Sequence, residues 1–160
     1  MKNKILEILR TNARTPTREI ARRLQLAEEE VEAQIHALEK SKTILGYQAV
    51  INPEKLDEEP VLGIIEVKVR PERQGGYDAI AEQIYRFPEV KLCFLLSGTY
   101  DLLVFVEGPT LKSVAHFVTD KLATINHVTS TNTHFILKKY KEFGVVFGAD
   151  ERAERLVVSP

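Results

Sequence analysis

The chain has 160 residues, of which 44% are hydrophobic and 28% are charged. This length and mixture predict one large or two small globular domains and exclude a disordered or fibrous protein. The formal net charge of −1 leaves no overall basic excess, so a nucleic-acid partner would have to be recognised by a local patch.

Helical patterns dominate the first part of the chain. Apolar residues at 5, 6, 8 and 9 predict a helix over Lys2–Arg10. A second helix is predicted to begin at Thr15, as the N-cap, with Pro16 in its first turn. After a short break at 25–27, a third helix is predicted over Glu28–Lys40. These two helices are expected to bury Ile20, Leu24, Val31, Ile35 and Leu38. Two short helices joined by a three-residue turn after a leading helix are typical of the helix-turn-helix motif.

Alternating residues over Gly46–Ile51 predict a short strand that ends at Asn52-Pro53, and the charged stretch that follows closes with Pro60. The predicted organisation is therefore a helix-turn-helix (winged-helix-like) domain with its strand at 1–52, a linker at 53–60, a second domain at 61–145 and a tail at 146–160. The apolar end of the tail is expected to dock on the sheet or on a neighbouring molecule.

The second domain is predicted to follow a β-α-β-β-α-β order. Strands are predicted at 61–69, 90–96, 102–107 and 128–140, with a helix at 77–87. Ser97–Asp101 is predicted to be a hairpin turn, with Gly98 available for a positive φ. Thr110 is predicted to cap a helix that buries Leu111, Val114, Ala115, Val118 and Leu122. This order predicts an α+β fold with a ferredoxin-like sandwich.

The central strands of this sheet are apolar on both faces. Leu92, Phe94 and Leu96 point one way while Cys93 and Leu95 point the other, and the next strand alternates in the same manner. A sheet covered by helices on one face should be polar on the other. The pattern therefore predicts that a second copy of the chain covers the open face.

Four stretches resemble the Lrp/AsnC family of feast/famine transcription regulators: ILEILRTNARTPTREIARRLQL, VEAQIHALEKSKTILGYQAVINP, LLSGTYDLLVFVEG and VTSTNTHFILKKYKE. The resemblance covers nearly all of residues 2–145. It implies an N-terminal DNA-binding domain, a C-terminal regulatory domain that oligomerises, dimers that pack into larger rings, and amino acids or related metabolites as effectors. Gln25 and Ala27 depart from the glycine and serine that the family usually has at these positions.

Candidate DNA-contacting residues lie in and near the second and third helices. Phosphate contacts are predicted for Arg14, Arg18, Arg22, Arg23, Lys40 and Lys42, which position a protein without reading sequence. Gln34 and His36 are predicted to reach base edges from the outer face of the third helix. The alternative is that these side chains form an ordinary solvated surface.

The third helix opens with an acidic run, Glu28–Glu30, followed by Glu32. Three interpretations stay open. The carboxylates can stabilise the helix start through the macrodipole, they can weaken or gate the contact with phosphates, or they can form a protein-binding face.

The best candidate effector site is the turn Gly98, Thr99, Tyr100 and Asp101, near which the family places its pocket. Asp101 would pair an amino group, backbone N–H groups near Gly98 would hold a carboxylate, and Tyr100 would pack on the ligand. Hydroxyls of Ser130, Thr131 and Thr133 are candidate additions, as is the loop Arg73–Gly76. The alternatives are ordinary turn chemistry and β-propensity.

No cofactor, metal site or enzymatic activity is predicted. The four histidines lack ligand spacing, and no nucleophile–base set or phosphate-cradling loop is apparent. Cys93, the only cysteine, is predicted to be buried in a reduced, cytoplasmic protein. No signal peptide or membrane span is predicted. Two rivals are a metabolite-sensing module whose acidic head binds protein, and an enzyme related to the sirohaem decarboxylases, which resemble this layout.

Overall fold

In a computed structural model that describes residues 2–70 and 76–147, the chain divides into two units, Met1–Val50 and Ile51–Pro160. The described part of the first unit contains helices α1 (Lys2–Thr11), α2 (Thr17–Leu24) and α3 (Glu28–Lys40). The predicted helices are confirmed. Their apolar stripes meet in one core, made of Ile5, Leu9, Ile20, Ala21, Val31 and Leu38. Leu24 and Ile35, which were predicted to be buried, are half-buried at its margin.

The turn between α2 and α3 depends on a residue in the left-handed region. Gln25 has φ 56° and ψ 47°, and its N–H donates to the Ala21 carbonyl, as does the N–H of Leu26 at 3.0 Å. A side chain in this region costs roughly 1–2 kcal/mol, a cost that glycine avoids. Ala27 is the N-cap of α3 and, as expected, provides no side-chain hydrogen bond.

The predicted start of α2 is wrong by one residue. Pro16 is the N-cap, with φ −61° and ψ 145°, and its carbonyl accepts from the N–H groups of Glu19 and Ile20. The Thr15 hydroxyl instead donates back to the Asn12 carbonyl at 2.8 Å. Thr15 therefore closes the loop before α2 and leaves the helix without a side-chain cap.

The second unit contains a four-stranded antiparallel sheet in the order β2-β3-β1-β4 among the described residues. After a 3-10 turn at Pro53–Lys55, the elements are β1 (Val61–Val69), α4 (Gly76–Tyr85), β2 (Val90–Leu95), β3 (Leu102–Gly108), α5 (Leu111–His116), a π-helical continuation (Phe117–Leu122) and β4 (Val128–Phe135). A two-residue pair, β5 (Lys141–Glu142) and β6 (Val145–Val146), follows. The predicted ferredoxin-like order is confirmed.

The helices pack on one face of this sheet. The core joins Ile65 and Val67 of β1 to Val104 and Val106 of β3, and to Ile84 of α4. Close approach of α5 requires glycine in the sheet, because a Cβ atom on Gly63 would lie 2.9 Å from Val114 Cγ1.

The predicted burial along α5 is only partly correct. Val114, Val118 and Leu122 are buried, whereas Leu111 and Ala115 are exposed. Phe117 takes part in the core in their place. The buried stripe runs through Val114, Phe117, Val118 and Leu122 at spacings of three and four residues, which leaves Leu111 and Ala115 off the face that packs on the sheet.

Two predicted strands differ from the structure. Gly46–Ile51 pairs with no strand of the described chain, and an extended segment needs such a partner to form a ladder. The last strand ends at Phe135 instead of Tyr140. Its partner β1 begins at Val61, directly after Pro60, and the final bond from the Ile136 N–H reaches the Leu62 carbonyl at 3.0 Å.

The open face of the sheet is apolar, as the sequence predicted. Antiparallel register places Phe94 opposite Leu103 and Leu92 opposite Phe105. Phe94 is 47% exposed and Leu92 is 40% exposed, and the Phe94 and Phe105 rings meet edge to face at 6.3 Å. Cys93 points to the opposite face and is half-buried, short of the full burial predicted, because β2 is an edge strand. Desolvation still raises the pKa of its thiol.

The turn geometry gives a stability test. Gln25→Gly should stabilise the chain by about 1 kcal/mol, because it removes a side chain from the left-handed region without losing a contact in the core. Chemical denaturation with a fluorescence or circular-dichroism readout measures this change. Gln48→Gly, in an exposed segment without positive φ, is the matched control and should not stabilise. An unchanged or lowered free energy of unfolding for Gln25→Gly would contradict the assigned turn.

Candidate functional sites

The outer face of α3 carries only one of the two side chains that were predicted to read bases. Gln34 lies three residues after Val31 and four before Leu38, so helical periodicity puts it on the buried side. Its Oε1 atom is buried without a hydrogen-bond partner, and its Nε2 atom donates to Glu30 at 3.4 Å. Gln34 is therefore not on the outer face from which base reading was predicted. His36 is on that face, with its side chain 82% exposed.

Two of the predicted phosphate-binding side chains are held by a carboxylate of their own helix. Arg22 donates from Nε and Nη2 to Glu19 at 3.0 and 2.9 Å, and Arg23 donates from Nε at 2.8 Å. Hydrogen bonds from Arg22 and Arg23 lower the pKa of Glu19 to about 2. The carboxylate is thus ionised throughout the physiological range and compensates one of the two positive charges.

The other predicted cations are exposed on the first unit. Arg14 lies in the loop before α2, Arg18 lies one helical turn before Arg22, and Lys40 and Lys42 lie at and after the end of α3. None of these four side chains is within salt-bridge distance of a carboxylate among the described residues. They are therefore available for an anionic partner.

Part of the acidic run is structural. The Thr17 hydroxyl, at the start of α2, donates to Glu28 Oε1 at 2.8 Å and is 3.5 Å from Glu32 Oε1. This contact joins the first turns of α2 and α3. Glu29 and Glu30 are exposed and take no part in it.

Asp101, the predicted ligand for an amino group, is already engaged within the chain. Its Oδ2 atom accepts from the Val69 N–H at 2.9 Å, and Oδ1 accepts from the Tyr77 hydroxyl at 3.4 Å. Its own N–H donates to the Val67 carbonyl at 3.0 Å. The side chain fastens the turn to the end of β1 and to α4, which supports the ordinary turn interpretation for this residue.

The rest of the predicted effector set is dispersed. Gly98 and Thr99 are exposed, Tyr100 is half-buried, and Gly98 does not adopt a positive φ. Register places Thr131 and Thr133 opposite the buried Val67 and Ile65, whereas Ser130 lies opposite Lys68 on the other face. The three hydroxyls therefore cannot line one pocket within this subunit. In the loop Arg73–Gly76, residues 73–75 lie outside the described residues, and Gly76 begins α4 with φ 54°.

Sequence reasoning missed a polar cluster on the open face. Asn132 Nδ2 donates to Glu66 Oε2 at 3.0 Å, and His134 Nε2 is 3.3 Å from the same oxygen. Hydrogen bonds from Asn132 and His134 keep the pKa of Glu66 below its usual range. Only the pairing of β1 with β4 brings these residues together, and no local pattern gives that register. The cluster of Glu66, Asn132 and His134 forms a polar border beside the apolar strands β2 and β3.

Within residues 2–70 and 76–147, no group of three or more His, Cys, Asp or Glu side chains is placed to hold a metal ion. The same residues contain no helix that is both long and apolar enough to cross a bilayer.

Comparison with known proteins assigns both units. Residues 3–39 match the model of the AsnC-type helix-turn-helix domain, and residues 62–146 match the Lrp/AsnC ligand binding domain. HTH-type transcriptional regulator YugG of Bacillus subtilis is 48% identical over 98% of this chain and 95% of its own. HTH-type transcriptional regulator LrpA of Pyrococcus horikoshii is 35% identical over 86% and 94%.

Solved structures show the same fold. The transcriptional regulator NMB0573 of Neisseria meningitidis, solved as its L-Met complex, has a TM-score of 0.70 and 27% identity over 88% of this chain and 90% of its own. AsnC of E. coli has a TM-score of 0.67 at 22% identity over 88% and 93%. The relatives are transcriptional regulators, and the resemblance seen in the sequence is confirmed. The chain belongs to the Lrp/AsnC family of helix-turn-helix transcriptional regulators.

Proposed function

We propose that this regulator binds duplex DNA through α2 and α3 as an assembly of at least two copies, and that an amino acid or a related metabolite bound by the second unit changes that binding. The observation that supports DNA binding is the row of exposed cations on α2, which precedes a third helix with a solvent-exposed outer face. The L-Met complex of the Neisseria meningitidis regulator supports an amino acid as the class of effector.

The cations of α2 act as phosphate clamps in this proposal. Arg18 and Arg22 are four residues apart and share one helical face, which suits contacts along a backbone strand. Guanidinium groups bind phosphate oxygens in a bidentate manner. Lys40 and Lys42 supply further charge at the far end of α3.

In this proposal, side chains on the outer face of α3 contact the base edges. His36 is its polar candidate outside the acidic run, and the neighbouring Ala33 and Ala37 are exposed and leave the helix surface low enough for close approach. Glu29 and Glu30 oppose phosphate binding if the helix start approaches the backbone. The proposed head therefore binds weakly alone, and a second head linked to it raises the affinity through effective concentration.

Self-association through the open face of the sheet supplies that second head. The face carries Leu92, Phe94, Leu103 and Phe105, which a second copy would remove from water. Two heads held by a symmetric assembly bind half-sites separated by about one helical turn of DNA or a multiple of it. Effector binding is proposed to favour one assembly geometry and thereby to change the affinity for the operator.

The phosphate clamp is tested by the double variant Arg22→Ala/Arg23→Ala. Its affinity should fall equally on all duplex sequences, and the slope of log affinity against log salt should become shallower by about 0.9 for each lost phosphate contact. Fluorescence anisotropy with labelled duplexes over a range of salt concentrations measures both. Arg86→Ala, which removes a similarly paired arginine from α4, is the control. Wild-type binding that does not depend on salt would contradict DNA recognition and favour a protein partner for the acidic head.

Glu19 is predicted to compete with phosphate for the two arginines. Glu19→Gln should therefore raise the affinity for duplex DNA several-fold at low salt, and the gain should disappear in the Arg22→Ala/Arg23→Ala background. Because the pKa of Glu19 is depressed to about 2, its charge is retained above that pH, so the ratio between variant and wild type should stay constant from about pH 5 to pH 8.

The matched control for this test is Glu82→Gln, which breaks the same type of Glu–Arg pair on α4. Its DNA affinity should equal that of the wild type. Glu19→Gln binding that is unchanged or weaker at every salt concentration would show that the pair does not oppose phosphate contact.

A further inference from the structure

The polar cluster of Glu66, Asn132 and His134 lies on the same face of the sheet as the exposed apolar side chains. In the register of the sheet, Glu66 stands between Leu103 of β3 and Asn132 of β4. Neighbouring strands are about 4.8 Å apart, so a molecule that covers Leu103 comes within one strand of the Glu66 carboxylate. The cluster therefore adjoins the surface through which self-association is proposed.

The size of the sheet brings the cluster into any stable contact on this face. A stable dimer removes about 800 Å² of accessible surface from each copy. The four strands, at a spacing of about 4.8 Å and with roughly seven residues of about 3.3 Å each, present a face of only about 440 Å² in projection. A dimer formed on this sheet thus needs the whole face, including His134 of the edge strand β4.

One nitrogen of His134 faces two groups with opposite requirements. Its Nε2 atom is 3.0 Å from Asn132 Nδ2, a donor, and 3.3 Å from Glu66 Oε2, an acceptor. A ring nitrogen carries either a proton or a lone pair, so this atom cannot satisfy both neighbours. A proton on Nε2 makes a hydrogen bond to the carboxylate, and a fully protonated ring also compensates the charge of Glu66.

Covering the face changes the balance between the two charge states of this pair. In the single chain the His134 side chain is 55% exposed and that of Glu66 is 31% exposed, so water solvates both. A second copy removes that water. Burial of an uncompensated charge is far more unfavourable than burial of a hydrogen-bonded ion pair. The neutral form of His134, which leaves the Glu66 charge uncompensated, is therefore the form that opposes assembly.

The other charged side chains near this face do not duplicate the role of His134. Lys68 stands two positions after Glu66 on β1, Glu107 lies on β3, and Lys91 lies at the bulge of β2. Of these side chains, histidine is the one type that ordinarily changes its charge between about pH 5 and pH 8. A pH response of the face in this range would therefore come from His134.

We infer that the cluster of Glu66, Asn132 and His134 links self-association of this chain to protonation: a charged His134 favours a second copy on the open face, and a second copy on that face favours the charged form of His134. This inference rests on the proposed self-association and adds the proton as an input to it. The sign of the linkage makes association strongest at the acidic end of the range, and association weakens as pH rises and the ring loses its proton.

The test measures the dissociation constant of the full chain by sedimentation velocity with fluorescence detection, from nanomolar to high micromolar concentration. At constant ionic strength the wild type should associate about tenfold more tightly at about pH 5.5 than at about pH 8, because assembly takes up protons. His134→Gln keeps a donor beside Glu66 but cannot become charged, so its dissociation constant should not change with pH. Circular dichroism confirms that each variant folds.

Glu66→Gln separates the charge of the cluster from its shape. With a neutral amide beside a neutral imidazole there is no net charge to cover, so this variant should associate more tightly than the wild type at about pH 8. At about pH 5.5 its charged imidazole has no carboxylate partner, so association should weaken and the pH dependence should be reversed. A purely structural role of the cluster would change the constants alike at every pH.

His116→Gln is the matched control, because it breaks another histidine–carboxylate contact, with Asp120 at 3.6 Å, away from the open face. It should keep the pH dependence of the wild type. A wild-type dissociation constant that is equal at both pH values or larger at the acidic one would overturn the inference and leave self-association standing. A pH dependence that persists in His134→Gln would do the same. A wild type that is monomeric at every pH would overturn the self-association proposal as well.

Discussion

The open face of the β-sheet is the constraint on which the rest of the structure depends. Helices cover one face and bury Ile65, Val67 and Val104, but β2 and β3 carry apolar residues on the other face as well. Covering this second face would remove the exposed Phe94 and Leu92 side chains from water, which is favourable. The polar cluster of Glu66, Asn132 and His134 borders this surface and limits how far it extends.

The proposed self-association on this face gives a physical reason for a DNA-binding unit whose own affinity is predicted to be low. The first unit has a small core and a third helix that begins with glutamates, and Glu19 compensates part of the charge of Arg22 and Arg23. A weak individual contact is useful in an assembly, since small changes in the spacing of two linked heads then change the total affinity strongly. A head that bound tightly alone would be insensitive to the geometry of the assembly.

Local patterns were sufficient to predict most helices and strands and their ferredoxin-like order along the chain. Helix and strand periodicity located α1 to α4 and β1 to β3. The apolar residues at successive positions of β2 and β3 correctly predicted that the open face of the sheet is apolar. Helical spacing also puts Gln34 on the face of Val31 and Leu38, which its polarity alone does not indicate. The end of β4 depended on where its partner strand begins.

Contacts between residues that are far apart in the sequence determine the features that local patterns did not predict. Asp101 was a plausible ligand until the fold placed the Val69 N–H and the Tyr77 hydroxyl against it. The faces occupied by Ser130 and Thr131 followed only from the register with β1.

Sedimentation velocity of the wild type beside Phe94→Glu/Leu103→Glu tests the central claim most directly. Both side chains lie on the open face, so the charges should leave the helix-covered core intact, as circular dichroism can verify. The account predicts that the wild type sediments at twice the 18.2 kDa chain mass or more, and that the variant shifts to the monomer mass. A folded wild type that stays monomeric at high micromolar concentration would contradict it.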